Sequence, residues 1–137
     1  MELAHKNRIA PYQAQEGEEY MGAAQLEHFK KILDNWKRDL MEEVDNTISG
    51  MKEADILADP NDRATQEEAF SLELRTRDRE RKLLKKIEQA ILTIDDGEYG
   101  YCDACGVEIG IRRLEARPTA DLCIDCKTLA EIKEKRN

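Results

Sequence analysis

Four cysteines, Cys102, Cys105, Cys123 and Cys126, are the chain's whole thiol content, and they fall into two C-x2-C pairs, CDAC and CIDC, separated by 17 residues. That spacing suits a tetrahedral four-thiolate metal site, because a two-residue spacer lets one tight turn aim both sulfurs at the same ion. Gly106, directly after the second cysteine, permits the close backbone approach that such a knuckle needs. Soft thiolate ligands select zinc, with iron the main competitor. Two disulfides are disfavoured in a reducing compartment, and a thioredoxin-like dithiol needs a strand–turn–helix context that is absent around these residues. A site closed by four protein ligands leaves no position for water or substrate, so it builds structure, and no catalytic residue is expected. His5 and His28 have no ligand spacing with either pair and are expected on the surface.

Something must carry this knuckle, and the chain is rich in helical signals. Leu26, Phe29, Leu33, Trp36, Leu40, Val44, Ile48 and Met51 advance by three or four residues at each step, which draws an apolar stripe along one helix. One extra step of four is a stutter, a local unwinding of a coiled coil. The stripe stops at ADPNDRA, where Asp59 before Pro60 reads as a helix start, and Thr65 with Glu68 offers a second, capping-box start. A second helix then carries Phe70, Leu74, Leu84, Ile87, Ile91 and Ile94 to a stop at Gly97. Trp36 is expected in the core between the helices. Folding the chain about Asn61 sets Asp45 opposite Arg77, and Glu42 and Glu43 opposite the basic run that starts at Arg79. Two helices of about 35 residues would make a hairpin on the order of 45 to 50 Å long. KTLAEIKEKR, from Lys127, reads as a short terminal helix that packs Leu129 and Ile132 against the base.

The fold expected is therefore mostly α: a long antiparallel two-helix coiled-coil hairpin on a small globular base with a four-cysteine zinc finger and a C-terminal helix. It divides into an N-terminal segment, 1–22, packing with the base, a hairpin, 23–95, with its tip near 58–65, and the zinc-finger base, 96–137. The base has too few apolar residues to hold itself together, and metal binding can supply the missing folding free energy, roughly 10 kcal/mol or more.

Charge narrows the function. The 137-residue chain carries −8, where a reader of duplex DNA shows the opposite bias, so free nucleic acid is not an expected partner. The charge is also unevenly spread. From Glu53 to Glu68 six acids face one base, and from Arg75 to Lys86 seven bases face two acids, so neighbouring stretches carry −5 and +5 and suggest distinct contact surfaces. The opening residues lack the apolar run of a signal peptide, and no stretch approaches the roughly 18 apolar residues of a membrane span, so a cytoplasmic protein is expected.

EEAFSLELRTRDRERKLLKKIE, then YGYCDACGVEIGIRRLEARPTADLCIDCKTLAEIK, together with the DPNDRA turn, resemble the DksA/TraR family from about Gly17 to Lys133. The resemblance implies a bacterial transcription regulator, a monomer and not an enzyme, that binds RNA polymerase directly without touching promoter DNA. Its hairpin would enter the secondary channel and, with the alarmone ppGpp, destabilise promoter complexes. The family's tip motif is matched by Asp59, Asp62 and Ala64. These acids also suit a helix start, although capping alone leaves a −5 cluster at an exposed turn unexplained. Lys86, Arg117 and Lys127, with Leu83 nearby, match the positions through which the family contributes to a ppGpp site, and Arg79 matches a position that contacts the channel rim. Solvated surface charge is the plainer reading of any one of these cations. Two rival functions are a Gre-like transcript-cleavage factor, whose tip acids are adjacent and which lacks the zinc knuckle, and a zinc-ribbon nucleic-acid binder.

Overall fold

The computed structural model describes residues 9–56 and 63–136, and at 47, 49–56, 63 and 64 the description is of the backbone alone. The expected tip acids Asp59 and Asp62 lie outside the described residues, as does His5. Four helices follow one another among the described residues: α1 (Ala23–Ile56), α2 (Arg63–Asp95), α3 (Ile111–Ala116) and α4 (Ile124–Arg136). Between α2 and α3 one isolated antiparallel bridge joins Tyr101 to Glu108. Thr65 stands inside α2, so the capping-box start is not used there.

Burial is concentrated where the hairpin meets the base. Phe29, Ile32, Leu33 and Leu40 of α1 and Ile87, Ala90 and Ile94 of α2 form one cluster with Met21, Tyr99, Ile109 and Leu114. Beyond Leu40 in α1, and before Ile87 in α2, the described residues add one buried side chain, Glu80, which is 2% exposed. The apolar stripe of α1 therefore works at its root and thins upward. Ile32, off that stripe, is fully buried because α1 packs on the base as well as on α2, so a second column of its surface is covered. Higher up, Phe70 and Leu74 are about half exposed, against the stripe reading of α2, and the stretch read as an apolar gap holds Glu80 buried.

Interhelical ion pairs give the register. Lys30 Nζ meets Asp95 Oδ1 at 3.4 Å and Lys37 Nζ meets Glu88 Oε1 at 3.8 Å, each three residues beyond the partner that folding about Asn61 assigns. Asp45 forms no ion pair with Arg77 among the described residues. Exposed pairs contribute about 0 to 1 kcal/mol, too little to override the seating of several fully buried side chains. Phe29 is central to that seating: it is 0% exposed, and its ring lies 5.7 Å from that of Tyr99 in the base. Phe29→Ala is expected to cost about 3 to 5 kcal/mol of stability, read as a lower urea midpoint with an unchanged slope.

α2 ends at Gly97, whose φ of +76° is the left-handed conformation expected there. The Gly97 amide donates to the Ile94 carbonyl at 3.2 Å, and the Glu98 amide donates to that of Thr93 at 2.9 Å. Gly100 is required by space as well as by its φ of +93°, since a Cβ there would lie 2.7 Å from Met21 Cγ.

Residues 9–22 are held by a dense polar network. Gln25, 1% exposed in the first turn of α1, accepts from the Met21 amide at 2.8 Å and donates to Glu18 at 2.6 Å. The Tyr20 hydroxyl donates to the Gly100 carbonyl at 2.7 Å and accepts from the Gly110 amide at 2.9 Å. Glu115 Oε1 accepts from the Tyr12 amide at 2.7 Å and lies 2.6 Å from His28 Nε2. His28 is thus not the surface residue that its spacing suggested: its side chain is 12% exposed, and it ties α1 to α3. The hydrogen bond from the Tyr12 hydroxyl, with those from Gln25 and the Gln15 amide, holds the Glu18 carboxyl below its ordinary 4.5. A carboxyl lowered on folding stabilises above its free value and loses that contribution as pH falls through the lowered one. Faster amide exchange at Gln15 and Met21, corrected for intrinsic rates, is therefore expected at about pH 3 relative to pH 7.

A four-thiolate centre beside a basic cleft

The bridge between Tyr101 and Glu108 closes the first knuckle. The Cys102 amide donates to the Val107 carbonyl at 2.8 Å and the Gly106 amide to that of Cys102 at 2.9 Å, a return that Gly106 permits with φ +79°. The second knuckle is a helix start. Cys123 directly precedes α4, and its sulfur accepts from the Cys126 amide at 3.4 Å, as an N-cap side chain would. Asp125 adds an acid to the first turn, where the dipole favours it. The Asp103 amide donates to the Asp121 carbonyl at 2.8 Å and joins the two knuckles.

The four sulfurs lie within 4.8 Å of one another, and Cys105 Sγ is 3.7 Å from Cys123 Sγ. Tetrahedral zinc–thiolate bonds of about 2.3 Å imply sulfurs about 3.8 Å apart, which the Cys105–Cys123 distance matches, so the cluster is of the size that zinc needs. Ionising all four at once needs a cation among them. The backbone amide of Cys123 leads in drawing the Cys102 thiol down to about 6, while the neighbouring thiols of Cys123, Cys105 and Cys102 push Cys126 up to about 12. Four thiolates this close are stable together only around a metal. Cys102, Cys105, Cys123 and Cys126 would hold zinc as a closed structural centre.

α4 departs from its expected packing. Leu129 and Ile132 are 60% and 43% exposed, and the helix has no buried residue. It is anchored at its start, through the thiolates Cys123 and Cys126, and the Lys127 amide makes the helix's first bond, to the Cys123 carbonyl at 2.9 Å. The apolar residues of KTLAEIKEKR are therefore left open to solvent.

Beside the metal centre an open cleft of about 920 Å³ lies between α2 and the base. Arg79, Leu83, Lys86, Arg117 and Lys127 all line it, so residues distant in sequence meet on one concave surface. Arg79, Lys82 and Lys86 present one face of α2, Arg117 follows α3, and Lys127 stands in the first turns of α4. Six bases line the cleft, the sixth being Arg113, against three acids, Glu98, Asp103 and Asp121. Lys82 is engaged by Asp78 at 3.0 Å, which lowers the Asp78 carboxyl, and Arg113 Nε donates to the Leu122 carbonyl at 3.1 Å. Arg79, Lys86, Arg117 and Lys127 form no ion pair among the described residues. Lys82 joins the residues expected there, on the face that the three- and four-residue steps from Arg79 to Lys86 mark. Trp36, expected in the core between the helices, is half-buried and lines the cleft as well. Ala64, of the tip motif, is the second residue of α2, and its side chain lies outside the described ones.

A helical hairpin rooted in a four-thiolate knuckle defines a class of hairpin-bearing C4-type zinc-finger proteins. Residues 25–94 match the family model of the DnaK suppressor protein DksA N-terminal domain, and residues 97–131 match that of the prokaryotic dksA/traR C4-type zinc finger. The chain belongs to the DksA family. It is 65% identical to the RNA polymerase-binding transcription factor DksA of Salmonella typhimurium and 64% identical to that of Escherichia coli, in each case over 93% of this chain and 85% of the relative. The solved structure of the transcription factor DksA2 from Pseudomonas aeruginosa superposes with a TM-score of 0.81 at 36% identity, covering 85% of this chain and 90% of that one.

Proposed function

We propose that this protein is a bacterial transcription regulator that binds RNA polymerase directly and inserts its hairpin into the secondary channel. With ppGpp it destabilises promoter complexes, repressing ribosomal RNA promoters and activating some others. It acts as a cytoplasmic monomer, without catalysis and without sequence-specific contact to DNA. Asp59, Asp62 and Ala64 act at the tip, Arg79 meets the channel rim, and Leu83, Lys86, Arg117 and Lys127 contribute to the ppGpp site. The observation that supports this most is the division of the molecule: a long two-helix stem in which Glu80 is the one side chain buried beyond Leu40 and before Ile87 among the described residues, and at its root a cleft whose cations Arg79, Lys86, Arg117 and Lys127 form no ion pair among the described residues. The names of the relatives, RNA polymerase-binding transcription factors, point the same way. Uncompensated Lys and Arg side chains converging on one concavity suit a polyphosphate.

Transcription from a ribosomal RNA promoter with purified polymerase tests the reading. The zinc-loaded chain is expected to shorten the lifetime of the promoter complex, and ppGpp to shorten it further. Shortening of RNA in stalled complexes would instead indicate a Gre-like cleavage factor. Retention of promoter DNA without polymerase, with a steep salt dependence, would indicate a nucleic-acid binder.

A further inference from the structure

We infer that Trp36 is the base-stacking wall of the basic cleft, which makes the site selective for a nucleoside polyphosphate over a bare pyrophosphate. The inference rests on the ppGpp-binding role proposed above. The cleft, at about 920 Å³, lies at the upper end of the roughly 300 to 1,000 Å³ typical of sites for drug-sized ligands, and a diphosphate would fill little of it. Its lining is two-sided. Lys86, Arg117 and Lys127 supply charge, whereas Trp36, Leu83 and Tyr101 supply apolar and aromatic surface.

The hairpin register sets Trp36 close to the cations. Lys37 meets Glu88 across the helices, so Trp36 stands level with Gln89, one helical turn from Lys86. Gln89 and Lys86 both line the cleft, so an indole at that level is within one nucleotide's length of the phosphate-binding charge. Trp36 packs against the core cluster, which holds the ring, and as a half-buried residue it also lines the cleft. A ring held in this way costs little entropy when a planar base stacks on it.

Trp36 is the chain's sole tryptophan. Labelling with 5-fluorotryptophan therefore gives one fluorine resonance that can be followed in the zinc-loaded full chain bound to unlabelled RNA polymerase. Adding ppGpp is expected to shift that resonance, and inorganic pyrophosphate is expected to leave it in place while competing for the cations. Trp36→Leu should weaken ppGpp about tenfold and pyrophosphate by less than about twofold, and Trp36→Phe, which keeps an aromatic face, should recover most of the loss. The stacking role is overturned if ppGpp does not move the resonance, if both variants weaken the two ligands alike, or if neither variant changes either affinity. Lys86→Ala separates this from failure of the underlying reading. If it loses both ligands, the cleft is the binding site and the Trp36 results decide the stacking; if it retains ppGpp, the nucleotide binds elsewhere and both ideas fall.

Discussion

Stripping zinc from the folded chain is expected to unravel α4 and α3 first and to leave most of α1 and α2 helical. α4 has no buried residue, so its hold on the rest of the molecule runs through its start, where Cys123 and Cys126 stand in the thiolate cluster. α3 has only six residues and one buried side chain, Leu114, and it follows the first knuckle closely. Metal ligation in such sites contributes roughly 10 kcal/mol or more of folding free energy, far above anything an exposed 13-residue helix supplies for itself. The two long helices keep Phe29, Leu33, Leu40, Ile87 and Ile94 between them. Hydrogen exchange before and after chelation should show residues 124–136 losing protection and α1 keeping most of its own. Unchanged protection in α4 after complete metal loss would refute the anchoring role. Acid should weaken the metal, because Cys126, which the neighbouring thiols push up to about 12, must give up its proton to bind, and protons compete more strongly as pH falls.

Much of this molecule was legible because the signals were local. The cysteine spacing, the glycine at position 97 and the three- and four-residue steps of the apolar stripe each depend on residues within a turn or two of one another. What could not be read depends on the third dimension. Ile32 is buried by the base, His28 is engaged by Glu115 from 87 positions away, and Leu129 and Ile132 are exposed because α4 leaves the base after its first turn. The hairpin register differs by three residues from that of a turn centred on Asn61, because packing at the root and not the turn determines it. The cleft shows both cases. Lys86, Arg117 and Lys127 were named from family resemblance, and no spacing rule could have brought them together; Trp36 was assigned to the core by the same helical period that carries it to the cleft's edge.

Asp62→Asn is expected to leave polymerase binding unchanged and to abolish promoter regulation. The substitution separates two roles that a charged turn residue can combine. Asp62 is one of the acids that the sequence sets at the start of the second helix, where a short acidic side chain can cap or favour the dipole as well as carry charge. Asparagine caps about as well as aspartate, whereas alanine there costs about 1 kcal/mol. Asn therefore preserves the cap and removes one unit from a stretch that carries −5 between Glu53 and Glu68. A field that perturbs charged elements near a catalytic magnesium depends on that unit, and a cap does not. Promoter-complex lifetimes and polymerase affinity, measured for the wild type, Asp62→Asn and Asp62→Ala, distinguish the two. If charge is the working feature, Asn and Ala lose regulation equally and differ only in thermal stability. If Asn regulates normally and Ala does not, the residue is a cap and the acidic tip is not the effector.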